Sequence, residues 1–157
     1  MSEPASINPQ IVEGLYCEAL VLSDEVRDAF ALSGRINHLR HEGDLARVAL
    51  SCEGLRTTTR MMHSIAWLLN HRAFFLGELS EFQLRRHGRL SSDLQGSSPE
   101  NLAMLDGRMR DLIRTTEHFY ERLQRLDREW RERPLNAPGA IERLRERLSH
   151  KAGLTGL

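Results

Sequence analysis

Cysteine is scarce in this 157-residue chain: Cys17 and Cys52 are the only two. That is too few for a disulfide framework and fits a reducing cytoplasm, where both read as small core hydrophobes. Net charge is lacking as well. Twenty-two basic residues cancel twenty-two acidic ones, so no general attraction draws the chain to nucleic acid or anionic lipid. Lysine is almost missing, since 21 of the 22 basic residues are arginine, a codon habit of the genome rather than a site. No apolar run reaches the ~18 residues of a membrane span, and the opening MSEPASINPQ has no signal-peptide character. Strand-like alternation is absent throughout. So are a phosphate loop, a nucleophile elbow and a glycine-rich dinucleotide fingerprint.

What is present is helical periodicity. Leu45, Val48, Cys52, Leu55, Thr59, Met62, Ala66, Leu69, Ala73 and Leu76 are spaced by threes and fours without a break. This is one seam of a long helix in bundle or coiled-coil packing, and it is expected to face the core. Met61, Ile65, Leu68 and Phe75 form a second row, and Trp67 with Phe74 a third. Beyond Met61 the helix is therefore apolar nearly all round, which a small bundle alone does not cover; a partner subunit is expected. Two other long helices flank it. The first starts at Asn8 and Pro9 and turns Ile11, Leu15, Ala19, Leu22, Val26 and Phe30 inward, stopping near Gly34. The third opens at a capping box of Ser97 and Glu100 and carries an unbroken row from Leu102 through Leu112 to Trp130. Asp44 is expected to cap the second helix, and Ser80 a short turn after it.

These signals predict an all-α fold, an antiparallel three-helix bundle with long helices near 9–33, 44–78 and 98–131, assembled as a homodimer. Residues 1–133 form the bundle domain. Residues 134–157, set off by Pro134 and Pro138, form a flexible tail with a short amphipathic helix through Ile141, Leu144 and Leu148. Those three are candidates for docking in a groove on another protein. His63, Trp67, His71 and Phe74 are candidates for the dimer or partner interface.

The search for chemistry finds little. His38 and His41 lie beside Glu42 and Asp44 in a glycine-flanked connection without a cysteine, a poor metal set. No histidine follows a glutamate by three residues, which removes a helical di-iron centre. The arginines of EHFYERLQRLDREWRER interleave with acids and read as a solvated, salt-bridged face. No catalytic residue, metal ligand or cofactor is therefore expected.

Two strings carry a family likeness. YCEALVLSDEVRDAF, residues 16–30, and VALSCEGLRTTTRMMHSIAWLLNHRAFFLGELS, residues 48–80, resemble the RcdA family, the alphaproteobacterial "regulator of CtrA degradation" proteins. The likeness covers roughly residues 10–130 and fades in the loop at 85–98 and after Pro134. It implies a homodimeric three-helix protein without enzymatic activity, an adaptor for the ClpXP protease. It further implies a CpdR-like response regulator that primes the protease and a PopA-like cyclic-di-GMP-binding protein. Cargo would be CtrA-like and other regulators, and the setting the cytoplasm with recruitment to a cell pole. Two readings from other classes compete. One is a nucleic-acid-binding regulator with Arg85, Arg86 and Arg89 beside the third helix's arginines. The other is a small-molecule sensor or enzyme with a pocket near His63 and His118.

Overall fold

The computed structural model describes residues 7–40, 43–92, 94–133 and 140–154; for 37–40, 140–143, 146 and 154 it describes the backbone alone. His41, Pro134 and Pro138 lie outside the described residues, as do the side chains of His38 and Ile141. The elements are α1 (Pro9–Arg40), α2 (Asp44–Phe75), α3 (Glu81–His87), α4 (Pro99–Ala103), α5 (Gly107–Arg131) and α6 (Ala140–Leu154). The all-α expectation holds, with no strand among the described residues.

Asn8 opens α1 as expected, its side chain accepting from the Ile11 amide at 2.9 Å. The helix then passes Ser33 and Gly34 and continues to Arg40. Gly34 keeps a helical backbone, so it acts as a weak interior residue rather than a stop. Gly43, not Asp44, occupies the N-cap of α2, and Asp44 sits in the first turn, where its charge meets the helix's positive end. At the far end Gly77 adopts φ +79°. The Glu78 amide reaches the Ala73 carbonyl at 2.9 Å and the Gly77 amide reaches Phe74 at 3.0 Å, a Schellman closure. Ser80 caps α3 through a reciprocal capping box with Gln83.

The third long helix is broken where an uninterrupted one was expected. Ser98 caps the short α4, and Asp106 then captures the Met109 amide at 2.8 Å and restarts the chain as α5. The apolar row runs through the break, because Leu102 and Leu105 still pack with Met109 and Ile113. Periodicity alone therefore gave no sign of it. Ser97 does not cap either helix; its amide and hydroxyl both donate to Glu117.

Helix directions also depart from a fully antiparallel bundle. α1 does run antiparallel to α2, with Glu13 meeting Arg72 at one end. Toward the other, the ring of Phe30 lies so close to Gly54 that a Cβ there would approach it to 3.1 Å. α5 instead runs parallel to α2. Leu50 packs with Met109, Arg60 bonds Thr116, Trp67 bonds Asp127, and His71 meets Trp130. The reason is the segment 76–106, which crosses back along the bundle and delivers the chain to the starting end of α2. Leu84, Leu90 and Leu105 anchor that strap in the core. The central core gathers Val12, Ala19, Leu22 and Val26 of α1, Met61 and Leu68 of α2, and Phe119, Leu123 and Trp130 of α5.

Candidate functional site

The side of α2 that faces α5 is polar. Glu53, Thr57, Arg60, Ser64 and His71 are spaced by threes, fours and one seven, and all lie within 0–3% exposure. Such groups are tolerated inside only when they are paired. Glu53 Oε1 accepts from Arg56 at 2.7 Å, from the Ser98 amide at 3.1 Å and from Asn101 Nδ2 at 3.2 Å. It thus fastens α4 and the strap to α2. Arg60 donates to Thr116 Oγ1 at 2.9 Å and lies 3.7 Å from Glu117. Burial pushes the Arg60 guanidinium below its ordinary pKa, while Glu117 and Glu53 oppose the shift. Ser64 returns its hydroxyl to the Arg60 carbonyl at 2.9 Å.

The ladder ends in an aromatic cluster. Trp67 Nε1 donates to Asp127 at 2.9 Å, and both Asp127 oxygens accept from Arg131 Nε at 3.1 Å. Arg131 and Arg85 then exchange backbone contacts: Arg131 reaches the Arg85 carbonyl at 2.9 Å, and Arg85 reaches the carbonyls of Arg131 and Arg133. The Arg85 guanidinium also lies 4.7 Å from the Trp130 ring centre. His71 sits between Trp67 and Trp130, at centroid distances of 4.0 and 5.2 Å, and no described group hydrogen-bonds either of its nitrogens. Burial, with help from Arg131, lowers its pKa to about 4. Tyr120 donates to the Ser91 carbonyl; burial raises its pKa to about 12, with Arg60 opposing and Asp127 adding.

The other side of α2 is the seam expected to form the core, and the structure turns it outward. Leu45 is 74% exposed, Val48 58%, Leu55 72%, Met62 65%, Leu69 43% and Leu76 65%. This stripe lies about 150° round the helix from the polar ladder. α2 is thus inside out, with polar groups against its own bundle and an apolar ridge along its open side. The second and third rows do pack inward: Met61, Leu68 and Trp67 are buried, and Ile65, Phe74 and Phe75 pack against the core.

The interface candidates consequently separate. Trp67 and His71 are buried and Phe74 half-buried, all three brought together beneath Trp130. Within one chain α5 covers Trp67 and His71, through Asp127 and Trp130, while Phe74 keeps part of its ring open. His63 is exposed beside the outward ridge. Leu144 and Leu148 of α6 are 57% and 61% exposed. His118 is exposed, with its Nδ1 3.8 Å from Glu121. Of the arginines expected to form a basic face, Arg85 is committed to Glu81, Trp130 and the end of α5. Arg122 bonds Glu18 of α1 at 2.6 Å.

Glu53 and Arg60 tie α2 to α4 and α5, whereas Thr57 Oγ1 and both His71 nitrogens are sealed from solvent with no hydrogen bond to a described group. Among the described residues no three His, Cys, Asp or Glu side chains gather as a metal cage, and no helix is long and apolar enough to cross a membrane. The fold is all-helical among the described residues, and its longest open apolar surface is the ridge of α2. Residues 4–151 match DUF1465, described as a protein of unknown function, and the chain belongs to that family. No curated protein and no solved structure matches it.

Proposed function

We propose that this chain is a non-enzymatic homodimeric adaptor of regulated proteolysis. It delivers CtrA-like and other regulators to a ClpXP protease, working with a CpdR-like response regulator and a PopA-like cyclic-di-GMP-binding protein. The setting is the cytoplasm, with recruitment to a cell pole. The observation that carries the reading is the outward apolar ridge of α2, a surface suited to protein contacts and to no chemistry. The resemblance of residues 16–30 and 48–80 to the RcdA family supplies the pathway. The exposed leucines of α6 suit a short amphipathic helix laid in a partner's groove, with Ile141 completing the row.

Reconstituted degradation tests it. Addition of the protein to the protease, the primed response regulator and a CtrA-like cargo should accelerate cargo loss. Truncation after Arg133 should leave the melting temperature unchanged and slow delivery. No acceleration by the full chain with any regulator cargo would end the adaptor reading. Undiminished delivery by the truncated chain would remove α6 from it.

A further inference from the structure

The ridge on α2 has the geometry of one half of a coiled coil. Its ten positions from Leu45 to Leu76 alternate by three and four throughout, a strict seven-residue repeat, on a helix about 48 Å long. The six large side chains leave on the order of 600 Å² open per chain, at the upper end for a patch on a monomer. With the flanking Ser51, Arg56, Thr58 and His63, the ridge approaches the ~800 Å² per partner of a stable interface. A convex ridge of this length needs an equally long helix against it. The 15-residue α6 covers less than half of the 32-residue α2, whereas a second copy supplies the same ridge.

We infer that two copies of this chain pair through their α2 ridges as an antiparallel two-stranded coil, with the twofold axis passing between Thr59 and Met62. The inference rests on the homodimer of the proposed function and fixes its surface and direction. No acidic residue lies on the open side between Asp44 and Glu78, because Glu53 is buried. Ion pairs across the seam therefore do not set the direction, and side-chain volume does. In the antiparallel arrangement Leu55 meets Ala66 of the second copy, Val48 meets Ala73, Cys52 meets Leu69, Thr59 meets Met62, and Leu45 meets Leu76. Nearly every layer then combines a large residue with a small one, and the twofold axis repeats each layer. A parallel pair would stack Ala66 on Ala66 and Ala73 on Ala73 between double layers of Leu55, Met62 and Leu69. Those thin layers leave voids beside bulges, which close packing disfavours.

Cysteine cross-linking reads the direction. Cys17→Ser leaves Cys52 as the sole thiol. In the antiparallel pair the two Cys52 residues stand about 25 Å apart along the axis, beyond disulfide reach. Adding Leu69→Cys to that background sets a thiol opposite Cys52 of the second copy. Under mild oxidation the double variant should give a covalent dimer on a non-reducing gel, and Cys17→Ser alone should not. A disulfide in Cys17→Ser alone would overturn the antiparallel direction. No disulfide in either would overturn the ridge as the seam. Light scattering gives an independent readout. Met62→Glu should be monomeric with unchanged helicity, and Val21→Glu, at an exposed position of α1, should stay dimeric; the reverse pattern would move the interface to α1. A monomeric wild-type chain that still accelerates cargo degradation would remove this inference and leave the adaptor reading standing.

Discussion

Leu68 and Leu69 are adjacent on α2, yet the inside-out orientation assigns them opposite roles. Leu68 is 0% exposed and packs with the central core, whereas Leu69 is 43% exposed on the ridge. Truncation to alanine removes three carbon groups from each. At Leu68 the lost transfer free energy is about 2.5 kcal/mol, from roughly 0.8 per buried methylene. The surrounding helices cannot collapse fully, so the cavity raises the total to about 3–5 kcal/mol. At Leu69 no cavity forms within the chain, and the cost to the folded subunit should stay below about 1 kcal/mol. Urea unfolding followed by circular dichroism measures both. With a slope of about 2 kcal/mol/M, Leu68→Ala should lower the midpoint by roughly 1.5–2.5 M.

Concentration separates the two effects. A residue at a subunit seam destabilises by weakening association, so its penalty depends on protein concentration. Leu68→Ala should show the same free-energy loss when the protein is diluted a hundredfold. Leu69→Ala should differ from wild type chiefly at concentrations where wild type is dimeric. If Leu69→Ala proved the costlier change at high dilution, the assignment of the two faces of α2 would be reversed.

Other consequences follow from the buried groups and the glycines. His71 titrates near 4 when folded against 6.5 when free, so between those values the unfolded chain binds the proton and stability falls as pH drops. The loss should total about 3 kcal/mol by pH 4, and His71→Phe should flatten the dependence of the urea midpoint on pH; an unaltered slope would refute the role. Gly34→Ala, inside α1 with nothing within 4 Å, should raise the melting temperature, worth about 0.5–1 kcal/mol. Gly77→Ala at φ +79° should cost about 1–2 kcal/mol. Gly88→Ala, whose new Cβ would meet Leu84 at 2.7 Å, should cost about 1–3 kcal/mol. A Gly34→Ala chain that melts below wild type, or a Gly77→Ala or Gly88→Ala chain that melts above it, would contradict the backbone assignments. Glu53→Ala removes the acceptor shared by Ser98 and Asn101, so trypsin should cut at Arg89 faster than in wild type; an unchanged digestion rate would show that the strap is held elsewhere.

Much of this architecture can be read from local sequence. Asn8 with Pro9 and the cap at Ser80 each act over about one turn of chain and form as expected, and the row from Leu102 to Trp130 keeps its inward face across the break at Asp106. The inward side of α2 is another matter. Its helix has apolar rows on more than one side, and hydrophobic periodicity reports the angle between faces without saying which one meets the rest of the chain. The deciding contacts join residues far apart: Arg60 to Thr116 across 56 positions, Trp67 to Asp127 across 60, and Glu53 to Ser98 across 45. The direction of α5 is hidden for a similar reason. Short connections make neighbouring helices antiparallel, but the strap between Leu76 and Asp106 is long enough to return to the other end. The candidate residues Trp67, His71 and Phe74 were recognisable as a cluster, and only the tertiary cover by Trp130 shows that the cluster is internal.

An inside-out helix also has a physical rationale. The ridge and the apolar residues of the core side are similar in character, so a helix built only from them would pack against α1 and α5 nearly as well after rotation about its own axis. Burial of the ~600 Å² ridge in that wrong orientation would return about 15 kcal/mol of gross hydrophobic free energy at 25 cal/mol per Å². The polar ladder opposes the rotation. Turning Glu53, Arg60 and Trp67 outward would take a partner from each of the Ser98 amide, Thr116 and Asp127. Each lost hydrogen bond costs about 0.5–1.5 kcal/mol, more where a charged group takes part. The rotation would also bring Met62 to the side of Glu117 and Leu69 to the side of Asp127. The buried polar contacts therefore contribute less to net stability than to selecting which apolar face is kept outside. Any loss of the ladder should accordingly disturb association through the ridge as well as the fold beneath it.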